Sequence, residues 1–410
     1  MDDDNALAKA KGKEPHPLAD GERILITRLS AIGDTVHSLF LADALRKLRP
    51  GSYIGWVVEG PASPLIVGNP LLDFWKVLPK GFLRHPCLVL GLRKELRSKG
   101  FRVSFDPQSL SKSSIVAWLS GATTRVGFAR GEGRELAPIL NNVLVDPKPD
   151  HVIRQTLGLL EGVGEQAPEG CSLTLPEPSD GDKEAVSGFL KDKGMDKGGY
   201  HLFAPGGNQA SKRWPLPRYA ELGAGLWKET GRPSPIAAHG EGARLDALSA
   251  IQAARASHGA GLPLFLAPDL GLLGVISLIR GAALTVGSDS FATHVAAGLA
   301  LPTLMLFSVS DPLRVGPPFR NGASVHAKLS IVRSARARAR LGPENMLALE
   351  VPKVLGEALR LLAKDHPKSS AGKEVADEPG ASSESGPADG SGGSGGSKSS
   401  LAAGKDSILA

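Results

Sequence analysis

Short apolar runs alternate with amphipathic stretches along most of the chain. The run 23–27 leads into a turn at 30–33, and apolar side chains then recur three or four apart from Val36 to Leu48. This pattern predicts a strand followed by a helix, and the apolar run 53–58 predicts the next strand. A strand, a helix and a strand with short connections favour parallel pairing in an α/β sheet.

The same alternation restarts after a segment, 165–182, that is rich in proline and acidic residues. Strands are predicted at 200–204, 235–238, 282–286 and 302–307, with helices at 217–229, from near Ser290 and after Val351. We therefore expect two α/β domains, 21–175 and 176–365. The cleft between them would lie at the carboxyl ends of the strands, where such sheets bind ligands.

The two ends of the chain have a different character. Residues 366–410 are mostly Ser, Gly, Ala, Lys and Glu, a composition that cannot bury a core, so this tail is expected to be disordered. Residues 1–20 are expected to form a flexible arm without a secretory signal. The most apolar stretch, 261–284, is broken by two prolines, an aspartate and an arginine, and a membrane span needs about 20 nearly uninterrupted apolar residues. It is predicted to be buried core.

Net charge and composition indicate which kinds of binding partner to expect. The net charge of +6 suits anionic substrates or an anionic membrane surface, although a basic bias without functional meaning explains it equally well. Aromatic residues make up only 5% of the chain and no nucleic-acid motif is visible, so a nucleic-acid partner is not expected. Two cysteines are too few for a disulfide framework, which favours a cytoplasmic location.

The first segment that bears chemistry is 28–37. Asp34 follows the first predicted strand and a turn that contains Gly33, at the mouth of the expected cleft. A carboxylate there suits a general base that takes a proton from a hydroxyl. Asp is also a preferred helix N-cap, and the residues alone favour that role. His37 is expected to pack or to hydrogen-bond within the helix.

The second segment is 204–215, where a predicted strand enters a loop containing Gly206, Gly207 and Asn208 before Lys212. Backbone N–H groups of such a loop can cradle phosphate oxygens, and a lysine adds a point charge. Surface loops with this composition are common, so the signal is moderate by itself.

The third segment is 286–294, in which Ser288, Asp289 and Ser290 end a strand and begin a helix. Free N–H groups at a helix N-terminus, together with a serine hydroxyl, suit an anion. The alternative is that Ser288 or Asp289 only caps the helix. His294, one turn later, is expected to bond back to this terminus or to pack.

Glu241 follows another predicted strand and has either a ribose-binding role or none, as a solvated loop residue. No segment has the ligand spacing of a metal site, so neither a catalytic metal nor a resident cofactor is expected.

In order, these segments resemble glycosyltransferase family 9, the ADP-heptose:lipopolysaccharide heptosyltransferase family. The resemblance spans roughly Arg23 to Leu362 and rests on four matches. These are the Gly-Asp turn with a His three residues later, an Asp-x-Gln segment at 106–108, Lys-x-Trp-Pro at 212–215, and Asp-Ser-x-x-x-His at 289–294.

The resemblance implies a GT-B fold, in which two Rossmann-like domains face a central cleft. It implies inverting, metal-independent transfer of heptose or a related sugar from an ADP-sugar to a lipid-linked, lipopolysaccharide-core-like acceptor, at the inner face of the cytoplasmic membrane. The catalytic residues would be Asp34, as the base, and Lys212, which would stabilise the leaving diphosphate. The residues that would bind the donor are Gly206, Gly207, Glu241, Ser288, Asp289, Ser290, Phe291 and His294.

This chain departs from the family at Phe291, where the family commonly has glycine. A glycine lets the backbone approach a phosphate closely, so phenylalanine would reshape the pocket. The departure favours one alternative, an inactive homologue that senses a nucleotide sugar or acts as a scaffold. A GT-B nucleotide-sugar epimerase is a second alternative, independent of Phe291.

Overall fold

The computed structural model describes residues 17–365 except 149, 208, 328–330, 333–334 and 339. The predicted tail at 366–410, residues 1–16 of the predicted arm, and Asn208 of the Gly-rich loop lie outside the described residues.

The described residues form two six-stranded sheets in which every paired strand is parallel. The strands are β1 (Arg23–Thr27), β2 (Tyr53–Glu59), β3 (Phe74–Leu78), β4 (Val103–Asp106), β5 (Thr124–Phe128), β6 (Val143–Val145), β7 (His201–Ala204), β8 (Ser234–Ile236), β9 (Leu264–Leu266), β10 (Leu284–Ser288), β11 (Thr303–Phe307) and β12 (Gly322–His326).

Helices connect the strands and cover both faces of each sheet, which buries the strands on both sides. The helices are α1 (Ile32–Leu48), α2 (Pro86–Ser98), α3 (Ser111–Leu119), α4 (Ala137–Leu140), α5 (Val152–Gly158), α6 (Asp180–Asp192), α7 (Leu216–Thr230), α8 (Glu241–His258), α9 (Leu272–Gly281), α10 (Phe291–Gly298), α11 (Pro312–Val315), α12 (Ala335–Arg338) and α13 (Val351–Asp365).

The two sheets have the same topology. The first has the order β3-β2-β1-β4-β5-β6 and the second β12-β11-β10-β7-β8-β9, so each half places its first and fourth strands side by side at the centre. This is the doubly wound Rossmann order, in which the chain reverses direction between those two strands and opens a crevice at their carboxyl ends. The predicted α/β fold with two Rossmann-like halves is confirmed.

The halves are packed against each other through α1 and α10. Phe40 of α1 and Val295 of α10 belong to one buried apolar cluster that includes side chains from both halves. The helix that follows β1 is therefore held against the helix that follows β10, and both begin at the edge where the strands end.

The apolar stretch 261–284 is divided between β9, α9 and the start of β10, as buried core requires. The predicted strand at 282–286 begins two residues later, at Leu284, because α9 extends to Gly281. None of the described helices combines the length and the apolar character that a bilayer crossing requires.

Candidate active site

The carboxyl ends of the central strands of both sheets open into one cleft of about 2650 Å³. The loops after β1 and β4 line it from the first half, and the loops after β7 and β10 line it from the second. Every segment that the sequence singled out, apart from Glu241, contributes to this lining or lies directly behind it.

Asp34 is the third residue of α1 and faces the cleft with 48% of its side chain exposed. The N-cap of α1 is Ala31, so the alternative that Asp34 is the N-cap is wrong. Its Oδ2 lies 3.4 Å from the backbone N of Ala31, a weak version of the contact an acidic residue makes at this position. The same oxygen lies 2.6 Å from the guanidinium of Arg28, which fixes the carboxylate at the mouth of the cleft.

The loop that carries Arg28 is anchored to the next central strand. Arg28 donates to the carbonyl of Pro107 at 2.8 Å, and Gln108 Oε1 accepts from the backbone N–H groups of Leu29 and Ser30 at 2.8 and 3.3 Å. The Asp-x-Gln segment after β4 therefore supports the loop after β1. Nothing in the two motifs indicates that these segments touch.

A lysine on α3 links the loop after β1 to the end of β2 in this half of the site. Lys112 Nζ donates to Ser30 Oγ at 2.7 Å and to Glu59 Oε2, at the end of β2, at 3.0 Å. Behind them lies Asp106, which is buried and accepts from the backbone of Ser109 at 2.8 Å. Burial raises the pKa of Asp106 to about 6, although its hydrogen bonds oppose the shift.

On the opposite wall, the loop after β7 brings Lys212 to Asp289 at the end of β10. Lys212 Nζ lies 2.5 Å from Asp289 Oδ2, and both side chains are largely buried. The loop itself contains Gly207 at φ 154°, a backbone conformation that residues with a Cβ rarely adopt. Gly206 lies beside Ser290, and its Cα faces the serine hydroxyl.

Both carboxylate oxygens of Asp289 have partners. Oδ2 contacts Lys212, and Oδ1 accepts from Nε2 of His294 at 2.9 Å. Burial would raise the pKa of Asp289, but the hydrogen bond and charge of His294 and the charge of Lys212 outweigh it and hold that pKa well below its ordinary value. His294 thus bonds back to its own helix terminus, one of the two roles expected for it.

The N-cap of α10 is Ser290, which excludes Ser288 and Asp289 from the capping role. Ser290 N donates to Thr293 Oγ1 at 3.3 Å, while Ser290 Oγ is buried and has no hydrogen-bond partner within the described part of the chain. A buried hydroxyl without a partner is uncommon, and it marks a place where a ligand atom can complete the bonding. Phe291 is the first residue of α10 and lines the cleft beside it.

Two predicted donor residues lie away from this wall. Ser288 is fully buried, and its Oγ lies 3.4 Å from the hydroxyl of Tyr219, behind the cleft. Glu241 is the first residue of α8 and is exposed outside the lining, whereas its neighbour His239 reaches the cleft. In the described ranges no three His, Cys, Asp or Glu side chains are grouped as a metal site would need.

The two walls meet where α1 and α10 touch. His37 Nε2 lies 3.2 Å from His294 Nδ1, and both rings are buried. A Cβ added to Gly33 would lie 3.1 Å from the His294 ring, so glycine permits this close approach. His37 was expected to be a packed or bonded helix residue, and it is, but its partner belongs to the other half.

Two further contacts that span the cleft were not predicted from the sequence. Arg314 of α11 lies 2.6 Å from Glu132, after β5, and His151 Nε2 lies 2.9 Å from the carbonyl of Gly316. None of these residues lies in a recognisable motif, so only the packing of the halves reveals them.

Comparison with known proteins places this geometry in a family. Residues 89–340 match the model of glycosyltransferase family 9 (heptosyltransferase). Lipopolysaccharide heptosyltransferase 1 of Pseudomonas aeruginosa is 27% identical over 311 residues, which cover 71% of this chain and 79% of that protein. Lipopolysaccharide heptosyltransferase 2 of Escherichia coli K12 is 28% identical over 321 residues, covering 74% and 87%.

Solved structures share the fold. The glycosyltransferase family 9 protein from Veillonella parvula superposes with a TM-score of 0.68 at 19% identity, covering 84% of this chain and 98% of that one. E. coli heptosyltransferase WaaC with ADP gives a TM-score of 0.59 at 20% identity, covering 85% and 99%. With two Rossmann-like halves around a cleft and a family model that matches 89–340, the chain belongs to glycosyltransferase family 9 and is a glycosyltransferase of the heptosyltransferase type.

Proposed function

We propose that this enzyme transfers heptose, or a related sugar, from an ADP-sugar to a lipid-linked acceptor of the lipopolysaccharide-core type, with inversion at the anomeric carbon and without a metal ion. The observation that carries the proposal is the arrangement of the cleft. A fixed carboxylate, Asp34, lies on one wall, and a helix N-terminus beside Lys212 lies on the other. Relatives named for transferring heptose to lipopolysaccharide support the substrates.

The donor diphosphate would bind at the start of α10. The N–H groups of the first turn, the Ser290 hydroxyl and the loop at Gly206 converge there. Lys212 adds positive charge, which stabilises the charge that develops on the leaving diphosphate. In this proposal the lysine and the helix terminus supply what a metal ion supplies in other transferases.

Asp34 would take the proton of the acceptor hydroxyl. The oxygen so activated forms a bond to the anomeric carbon while the bond from that carbon to the ADP phosphate oxygen breaks, and ADP leaves with the electron pair. Attack from the face opposite ADP inverts the configuration. The ion pair with Arg28 holds the carboxylate in place for this step.

The test compares Asp34→Asn with the wild-type enzyme. Purified protein, ADP-heptose and a lipopolysaccharide core truncated before its heptoses are incubated, and the glycosylated product and released ADP are measured. Removal of a general base should lower kcat by about 10²–10⁴-fold. Binding of ADP by calorimetry should change less than about threefold.

Transfer by Asp34→Asn at the wild-type rate would contradict the role of Asp34. Tight ADP binding by the wild-type protein with no transfer to any core acceptor would favour a nucleotide-sugar sensor over a transferase.

A further inference from the structure

The start of α2, residues 86–91, exposes apolar side chains on more than one face of the helix. Leu92 and Leu96 are the buried residues of this helix, with exposures of 2% and 0%. Leu88 lies one turn before Leu92 on the same face, yet it is 46% exposed. On the outer face Leu90 is 64% exposed. The apolar face with which α2 packs against the rest of the protein therefore continues into the first turn, where Leu88 is exposed.

The turn before α2 and the first residues of the helix also expose side chains. Leu83 is exposed, and Cys87 and Pro86 at the start of α2 are exposed as well. We refer to residues 82–91 as the α2 tip. Exposed apolar residues scattered singly are ordinary, but several in succession on both faces of one helix end mark a surface that contacts another apolar phase.

The charge around the α2 tip is mostly positive, although Glu95 in the next turn of α2 pairs with Lys76 at 2.5 Å. Residues 74–94 contain no Asp or Glu, and they carry five basic side chains: Lys76, Lys80, Arg84, Arg93 and Lys94. Lys80, Arg84 and Lys94 are exposed. Arg93 lies over the ring of Trp118, an exposed side chain of the neighbouring α3, at 5.8 Å.

An apolar helix end within a ring of basic residues complements the surface of an anionic bilayer. The leucines can enter the boundary between headgroups and acyl chains, while each Lys or Arg near the surface adds electrostatic attraction to anionic lipid. A second copy of the chain would bring two positively charged rings together, since a symmetric contact uses the same patch twice. Charge therefore favours lipid over self-association.

The position of the α2 tip fits the chemistry of the cleft. It follows the carboxyl end of β3, and β1, β2 and β3 are parallel neighbours. The α2 tip thus lies at the same edge of the sheet as Asp34, which follows the carboxyl end of β1. A bilayer contacted by the tip would face the half of the cleft that holds the proposed base.

We propose that the α2 tip docks the enzyme on an anionic phospholipid surface, where it meets its acceptor. The identity of that acceptor rests on the proposed function, but the docking itself does not.

The experiment uses the full chain in vesicle flotation, with phosphatidylcholine alone or mixed with phosphatidylglycerol. The test variant is Leu88→Ser with Leu90→Ser. The matched control is Leu245→Ser with Leu248→Ser, two exposed leucines of α8 in the other half. The wild type and the control should bind the anionic vesicles, and the test variant should bind about tenfold more weakly. Binding should also fall with Lys80→Glu and Lys94→Glu, and with added salt.

Equal binding by the test variant and the control would overturn the proposal, as would a wild type that does not float with anionic vesicles. So would a wild-type dimer that Leu88→Ser and Leu90→Ser convert to a monomer with vesicle binding unchanged. Turnover on detergent-dispersed acceptor should be the same in the test variant and the wild type. Loss of flotation with normal turnover in the test variant would support a docking role for the α2 tip. Normal flotation without turnover in the wild type would contradict the proposed function and leave the docking proposal standing.

Discussion

His37 and His294 are joined by a 3.2 Å contact between Nε2 of the first and Nδ1 of the second, across the boundary between the two halves. A carboxylate only accepts, so His294 donates from Nε2 to Asp289, while its Nδ1 faces Nε2 of His37. A chain of contacts thus runs from Lys212 through Asp289 and His294 to the helix that carries Asp34.

This contact predicts a loss of stability in acid. Burial lowers the pKa of His37 well below its ordinary value, and the nearby His294, His151 and Arg28 lower it further while Asp289 opposes them. The unfolded chain takes up a proton at this residue as the pH falls below about 6.5, but the folded protein resists it. The free energy of unfolding should therefore decrease below that pH, by about 1 kcal/mol from His37 alone at pH 5.5.

Urea denaturation at pH 7.5 and 5.5 measures this effect. His37→Gln should lose less stability on acidification than the wild type, and His258→Gln, at the exposed end of α8, should behave as the wild type does. If all three proteins lose the same amount, His37 is not the group responsible.

Lys212 should determine nucleotide binding. We expect the wild type to bind ADP in preference to UDP, GDP and CDP, and Lys212→Ala to bind ADP at least about tenfold more weakly, because a charge-assisted contact to the diphosphate is lost. Lys228→Ala, which removes an exposed lysine of α7, should bind ADP normally.

Calorimetry measures these affinities, and thermal denaturation checks the fold because Lys212→Ala leaves Asp289 with His294 alone. Preference for UDP or GDP would keep the fold and change the donor. Absence of binding to any of the four nucleotides would remove the main support for the donor site.

Phe291 should set the size of the sugar pocket. It stands where the family commonly has glycine, at the first position of α10 beside Ser290. Phe291→Gly should shift kcat/KM toward donors with larger sugars, and it should lower the free energy of unfolding by roughly 1 kcal/mol because glycine is a poor helix residue. Phe291→Ala, which keeps the helix preference, separates the two effects. An unchanged ranking of donors in both variants would place the sugar elsewhere in the cleft.

Asp106 should make stability fall as the pH rises. Its pKa is raised to about 6 by burial, so the folded protein keeps the proton longer than the unfolded chain does, and stability declines between about pH 4 and pH 6. The two-unit shift corresponds to roughly 3 kcal/mol. Asp106→Asn should remove this decline, whereas Asp180→Asn, at a fully exposed carboxylate, should keep it.

Asparagine fits the Asp106 site because its amide oxygen can still accept from Ser109, and its amide nitrogen can donate to Asn141 Oδ1, which has no partner among the described residues. That donation requires the Asn141 amide to turn over, since its nitrogen now faces Asp106. Denaturation at pH 5 and pH 8 compares Asp106→Asn with the wild type, because His37 opposes Asp106 in this range and only the difference between the two proteins isolates Asp106. An equal change in the free energy of unfolding in both proteins would contradict the prediction.

The sequence by itself determined the fold class and the composition of the cleft. Alternating apolar and amphipathic runs predict parallel α/β halves, and in a parallel sheet all carboxyl ends lie at one edge. The motifs that follow β7 and β10 were therefore expected to share that edge in the second half, whereas β4, which carries the Asp-x-Gln segment, was not predicted. The same local signals predicted the end of α1, both ends of α7 and the start of α13 to within one residue, because caps and turns act over only a few positions.

Only the tertiary structure decided which side chains meet. Asp34 was ambiguous between cap and base in the sequence, and its third position in α1 and its contact with Arg28 resolved the cap question. Lys212 meets Asp289 77 positions away, and His37 meets His294 257 positions away. Such contacts depend on how whole helices and sheets pack, since the periodicity of a sequence reports which face of an element is buried but not which element covers it.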